Sequence, residues 1–254
     1  MLLHGVGLDR AMWERCLPSL AARHRVTLVD LRGHGASPAA AAGVSLGELT
    51  EDVAQLVDGC SGPGGPSHIV GFSLGALVAQ QLALVRPELT ASLTLVSSVA
   101  GRSGEERAAV ARRRERAAED FEASARAAVD RWFAPEWLAE EPDLATAVLD
   151  ALLHNDRTSY LACYDVFATA DAALWPLLPR ITAPTLAVTG ANDPGSTPAM
   201  TRLLADRIPG GRALIVPGGR HLLPLERPDD LTDAILTHTG MHTGTPTGQE
   251  CHPS

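Results

Sequence analysis

Residues 68–76 read HIVGFSLGA, from His68 through Ser73 to Ala76. A short apolar run stops at a serine that has a glycine two residues to either side, Gly71 and Gly75. An alanine-rich segment with helical spacing follows. This is the pattern of a buried strand that turns sharply into a helix, with the serine exposed on the turn. The positions two residues away must be small, or the turn collides with itself. Gly-x-Ser-x-Gly alone is a weak signal. Its place between an apolar strand and a helix gives it weight.

The same alternation recurs outward from this stretch. Val26–Asp30, His68–Phe72, Leu93–Ser97, Thr185–Thr189 and Ala213–Val216 are short, nearly continuous apolar runs. Such runs suit strands of a parallel sheet covered on both faces. Between them, Leu49, Val53, Leu56 and Val57 share one helical face. Leu74, Leu77, Val78, Leu82 and Val85 share another, before Pro87 stops the run. The expected fold is α/β, a mostly parallel doubly wound sheet. Residues 2–5 look like the last residues of a strand, so the amino-terminal strands of such a sheet are expected to be missing.

Residues 101–173 interrupt the alternation. They are rich in Ala, Arg and Glu, and Ser103 with Glu106 fits a capping box. Phe121, Ala125, Ala128 and Trp132 fall on one helical face. The expected division is a sheet core at 1–100 and 174–236, a helical cap at 101–173, and a disordered tail at 237–254. His238, His242 and His252 in the tail are weak metal candidates, with a solvated terminus as the plainer reading. The 254-residue chain suits one domain with an insertion. A net charge of −9 gives no support to binding nucleic acid or an anionic membrane. No run of 18 continuous apolar residues occurs, so no spanning helix is expected. The four cysteines are far apart, which suggests neither a zinc knuckle nor a disulfide framework and fits reduced thiols in a cytoplasmic protein.

A serine hydroxyl needs a base. His221, in the loop after the last strand, is the best placed; the alternative is a loop histidine bonded to backbone. His34 sits among glycines and reads as part of a structural turn. An imidazole base needs an acid that fixes its tautomer. Asp193 follows the strand Thr185–Thr189; the alternative is a turn residue before Pro194. The oxyanion of acyl transfer needs two amide donors. Leu74 follows the serine directly, and Val6 in the loop after residues 2–5 is the second candidate. His4 is expected to shape that loop.

Taken together, His4-Gly5, Asp30-x-Arg32-Gly33-His34-Gly35-x-Ser37, Gly71-x-Ser73-x-Gly75, Asp193 and His221 resemble the α/β-hydrolase superfamily over nearly all of residues 2–236. Within it the chain looks most like the 3-oxoadipate enol-lactonases, also through residues 8–37, 131–135 and 208–229. That group tends to read Gly-Leu-Ser-Leu-Gly-Gly, where this chain has Phe72 and Ala76. The resemblance implies Ser73 as nucleophile, Asp193 as acid, His221 as base, and Val6 and Leu74 as oxyanion donors. It implies a serine hydrolase that opens a carboxylic ester or lactone through an acyl-enzyme, with no cofactor and no metal.

Arg131 adjoins Trp132 and Phe133, and a guanidinium there suits an acidic substrate. Trp132, Phe133 and Trp137 are candidates for an acyl pocket, or for packing the cap on the sheet. The other cap arginines, Arg113 and Arg116 among them, read as solvated. The expected partner is a small ester or lactone, and the expected state a monomer or homodimer. Rival readings are a carboxylesterase, thioesterase or carbon–carbon bond hydrolase of the same superfamily, peroxide chemistry, and a non-catalytic scaffold that binds a ligand.

Overall fold

The structure, a computed structural model, describes residues 1–60 and 65–241. Six strands, β1 (Leu2–Leu3), β2 (Leu28–Val29), β3 (Ser67–Phe72), β4 (Thr90–Val96), β5 (Thr185–Gly190) and β6 (Arg212–Val216), form one sheet in the order β2-β1-β3-β4-β5-β6. Every pairing is parallel. Successive strand residues face opposite sides of a sheet, and all six residues of β5 are buried, so both of its faces are covered. That explains the continuous apolar runs of β3, β4 and β5; the run at 213–216, expected to be covered, lies on the edge strand β6, exposed through Leu214 and buried only at Val216. The run at 26–30 shrinks to Leu28–Val29, which pairs only with the two-residue β1.

Among the core helices, α2 (Leu46–Cys60) packs on α3 (Leu74–Val85), which in turn packs on β3 and β4. A short α1 (Leu17–Ala21) meets α11 (Pro228–Gly240), which packs on the one-turn α10 (Leu223–Glu226) before it, and α9 (Pro198–Arg207) covers β5 and β6. Two expected core residues lie outside. Leu56 is 42% exposed because the buried stripe of α2 runs through Leu49, Thr50, Val53, Ala54 and Val57, with Leu56 at its edge. Val85 is 53% exposed because it is the last residue of α3.

Between β4 and β5 lie five helices: α4 (Gly104–Glu119), α5 (Phe121–Trp132), α6 (Pro135–Glu140), α7 (Pro142–Leu153) and α8 (Arg157–Leu174). The Ser103–Glu106 capping box opens α4, with the Glu106 amide donating to Ser103 Oγ at 3.2 Å and the Ser103 amide to Glu106 Oε2 at 2.7 Å. The segment Arg157–Arg180 contains no continuous apolar run of 18 residues, yet by length and composition alone it is long and apolar enough to cross a membrane. Here α8 packs against α3 and α4, and Tyr160, Cys163 and Val166 are buried, so its apolar character serves the core.

Residues 237–240, expected to belong to a disordered tail, are helical. α11 runs to Gly240, with His238 and Thr239 buried, and His238 Nε2 lies 3.0 Å from the Leu93 carbonyl oxygen. These polar residues are buried because they find partners in the fold. Residues 242–254, with His242 and His252, lie outside the described residues, and no group of His, Cys, Asp or Glu suited to a metal occurs among those described.

The sheet order reverses between β1 and β3: the chain leaves β1 for β2 on one side and returns to β3 on the other. Ligands of open α/β sheets bind at such a crossing, beyond the carboxyl ends of the strands. The loop after β1 carries Val6, and the turn after β3 carries Ser73.

Candidate active site

Ser73 adopts φ 53° and ψ −110°, a left-handed conformation strained for a residue with a side chain. A Cβ on Gly71 would lie 2.3 Å from the Gly75 carbonyl oxygen, and one on Gly75 2.6 Å from that of His4. Both glycines of the motif are therefore dictated by backbone packed against backbone. The turn is tied on two sides: the Ser73 amide donates to Val96 O at 2.9 Å, and the Gly75 amide to His4 O at 3.1 Å. The amides of Leu74 and Val6 have no acceptor among the described residues. Leu74 opens α3, where helix amides are free and the helix dipole favours negative charge.

Two buried histidines shape the loop after β1. His4 Nδ1 donates to Gly5 O at 2.8 Å, and His4 Nε2 accepts the Leu31 amide at 2.8 Å, which fixes a neutral ring. His34 stands edge-on to His4, with ring centroids 5.0 Å apart. Burial lowers the pKa of His4 to about 4. Burial, and then the neighbouring His4, lower that of His34 to about 3. Neither ring lines the cavity described below.

Asp193, just beyond β5, is buried yet well supplied with donors. Its Oδ1 accepts the amides of Gly195 at 2.8 Å and Ser196 at 2.9 Å. Its Oδ2 accepts His221 Nδ1–H at 2.7 Å. Burial alone pushes its pKa up, but His221 and the two amides outweigh that, and the net shift is downward. An ionised carboxylate only accepts, so it holds the proton of His221 on Nδ1 and leaves Nε2 as a base. His221 and Ser73 line one cavity of about 280 Å³, and no hydrogen bond joins their side chains among the described residues. Such bonds often tighten only when substrate binds.

The same cavity is lined by Val6, Phe72 and Asp193 from the core and by Arg131, Trp132 and Tyr160 from the inserted helices. Trp132 stacks over the His221 ring at 5.8 Å between centroids. Phe133 and Trp137 do not line the cavity; they stack face to face on each other at 4.1 Å, both buried. Successive residues at a helix end point in different directions, so Trp132 faces the cavity and Phe133 turns away. Trp13 is fully buried in the core.

Arg131 donates to the Ala127 carbonyl oxygen at 3.0 Å. Burial, and then the nearby Arg113, lower its pKa. Arg113 and Arg116, read from sequence as solvated, also line the cavity. None of these three arginines has an ion-pair partner among the described residues. Cys16 and Cys163 are buried free thiols outside the cavity, and burial raises their pKa to about 12 and about 11.

Sequence reasoning missed Ser97, whose φ of 46° is also left-handed and whose hydroxyl donates to the His221 carbonyl oxygen at 2.8 Å. A serine after an apolar strand carries no distinctive signal. It also missed Tyr160 and Tyr164, whose place in the wall follows from how α8 docks.

Residues 1–234 match the profile described as "Alpha/beta hydrolase family". The chain is 32% identical to the pimeloyl-[acyl-carrier protein] methyl ester esterase of Aeromonas hydrophila, with 94% of each chain covered. It is 28% identical to 3-oxoadipate enol-lactonase 2 of Acinetobacter baylyi, over 91% of this chain and 85% of that one. Its structure is similar to the crystal structure of the enol-lactonase from Burkholderia xenovorans, with a TM-score of 0.86, 28% identity, and coverage of 94% and 90%.

Proposed function

The chain belongs to the alpha/beta hydrolase family, and from that premise we propose that it is a serine hydrolase that cleaves a carboxylic ester or lactone through an acyl-enzyme. The observation that carries this reading is Ser73, strained on its turn, facing the same cavity as a His221 ring oriented by Asp193. His221 Nε2 takes the hydroxyl proton as Ser73 Oγ bonds to the carbonyl carbon. The carbonyl oxygen becomes an oxyanion and accepts the amides of Val6 and Leu74. Collapse breaks the bond to the leaving oxygen, which takes its proton from the His221 imidazolium. Water then attacks the acyl carbon, giving a proton to Nε2. The acid leaves, and Ser73 Oγ recovers that proton. In a lactone both products remain one molecule. The helices of residues 101–173 act as a cap over this chemistry.

Three cavity arginines without carboxylate partners support a substrate whose acyl part is itself anionic. The resemblance to a 3-oxoadipate enol-lactonase points the same way, since adipate names a dicarboxylate, and 3-oxoadipate enol-lactone is the substrate we put first. A second reading, an esterase for acyl esters or thioesters, is favoured by the similarity to a methyl ester esterase and by the apolar lining from Val6, Phe72 and Phe167.

A fluorophosphonate probe followed by peptide mapping tests the nucleophile: the expected adduct is on Ser73, and folded protein without it overturns the reading. Turnover of acidic lactones, neutral aryl esters and acyl thioesters then separates the substrates. A preference for the acidic lactone is expected. Equal turnover of neutral esters rejects the anionic-acyl assignment in favour of the second reading.

A further inference from the structure

Helix α5 ends at Trp132 with neither glycine nor asparagine to close it, and Phe133 leaves in extended conformation at φ −117° and ψ 154°. The last carbonyls of a helix need donors from elsewhere. Here they come from the loop that carries His221. The Arg220 guanidinium donates to Asp130 O at 3.3 Å and to Phe133 O. The His221 amide donates to Trp132 O at 3.1 Å. One residue further along, the Ala134 amide donates to Glu226 Oε1 at 3.1 Å, while Glu226 Oε2 accepts the amide of Arg220. One carboxylate thus joins the residue before His221 to the corner between α5 and α6.

We infer that Glu226 and Arg220 are positioning residues that fasten the base His221 to the cavity wall formed by α5; the inference rests on the reading of His221 as the base. The bond from Asp193 fixes which nitrogen carries the proton and where the ring tilts. It does not fix the loop. That loop follows Gly218 (φ 72°) and Gly219, where the last backbone ties to the core are the Gly219 amide on Val216 O at 3.3 Å and the Asn192 amide on Gly219 O at 2.9 Å. The His221 main chain is held from the core side by the Ser97 hydroxyl on its carbonyl oxygen, and from the insertion side by Trp132 O on its amide. Glu226 and Arg220 double the second attachment. The cationic Arg220 also sits where the helix dipole is negative. Trp132 stacks on the imidazole and Arg131 lines the same cavity, so a substrate held by Arg131 stays in register with Nε2. A displacement of about 1 Å between base and nucleophile costs about a hundredfold in rate.

The test compares wild type with Glu226→Ala and Glu226→Gln, the latter keeping one acceptor oxygen and serving if the alanine variant does not fold. Three readouts are taken on folded protein: kcat and KM for the best substrate, the fluorophosphonate labelling rate of Ser73, and the low-field proton resonance of His221 Nδ1–H. Glu226→Ala is expected to lower kcat and the labelling rate by about tenfold or more, with KM within about threefold, and to broaden or shift that resonance. Glu226→Gln is expected to recover part of each loss. Wild type without labelling would sink the hydrolase reading, and the resonance would then decide the positioning on its own. If Glu226→Ala melts earlier but keeps wild-type kcat, labelling and resonance, or if the resonance alone is unchanged in the unlabelled case, the inference is overturned.

Discussion

The buried histidine pair makes a prediction about acid that the site chemistry does not require. His4 and His34 are 0% and 2% exposed, with pKa values lowered from 6.5 to about 4 and about 3. In the unfolded chain both take up a proton as pH falls through about 6.5; in the folded chain both stay neutral until far lower. The unfolded state therefore binds more protons across that window, and stability falls as pH falls from about 6.5 toward the folded values. From about pH 8 to about pH 5 each ring costs about 1.4 × 1.5, or about 2 kcal/mol, and the pair about 4 kcal/mol. At about pH 5 this figure is insensitive to the folded pKa values, because both lie at least about a unit below. Against a typical total of 5–15 kcal/mol that loss is large. With a urea slope of about 3 kcal/mol/M, the unfolding midpoint drops by about 1.3 M. His34→Asn keeps a donor toward the Arg32 carbonyl oxygen, 3.2 Å from Nδ1, and removes one titrating ring. Urea unfolding followed by fluorescence at the two pH values is expected to show about half the acid loss in that variant. The same acid loss in His34→Asn and wild type would refute the reasoning.

Three other perturbations bear on the site. Asp193→Asn presents an amide where His221 Nδ1 now finds a carboxylate, and is expected to lower kcat by about 10³–10⁴ with the fold intact; near-wild-type turnover in steady-state assays would remove Asp193 from its role. Arg131→Gln is expected to raise KM for an acidic lactone by about 10–100-fold while a neutral ester changes by less than about threefold, and equal shifts for both would deny the arginine any charge recognition. Gly75→Ala puts a Cβ 2.6 Å from His4 O and 2.7 Å from Leu3 O, backbone that has no room to retreat, and is expected to cost about 2–4 kcal/mol by urea unfolding; a loss under about 0.5 kcal/mol would contradict the packing argument.

Which features were legible in the sequence follows from how local their causes are. The turn at Ser73 was readable because half of its constraint lies within five residues: a Cβ on Gly71 would meet the backbone of Gly75, whereas Gly75 is pressed by the distant backbone of His4 and Leu3. Strands whose two faces are covered announce themselves as unbroken apolar runs, and Asp193 follows one of them, β5; His221 follows the edge strand β6, whose run is apolar in sequence yet exposed through Leu214. The inserted helices were readable as helices, but which face meets the cavity depends on docking. Arg113 and Arg116 have the charge pattern of a solvated face and yet line the cavity, while Phe133, one residue from Trp132, turns its ring toward Trp137. Ser97, Arg220 and Glu226 act on main-chain groups about 90 or more residues away, and side chain to backbone contacts leave no pattern of paired residue types. His238 looked like part of a polar tail because composition does not reveal that its ring reaches the Leu93 carbonyl oxygen.

The two arginine-bearing helices of the wall are not equivalent. α4 brings Arg113 and Arg116 to the cavity without a hydrogen bond from either to Ser73, Asp193 or His221. α5 brings Arg131, but its final carbonyls are bonded to the His221 amide and to Arg220. A change of residue on α4 alters the charge of the cavity without touching a hydrogen bond of His221. A shift of α5 moves Trp132 and, through the Trp132 carbonyl, His221, the proposed base. On the proposed reading, substrate choice is therefore free to vary through α4, whereas α5 is constrained twice, by the cavity it lines and by the histidine it holds.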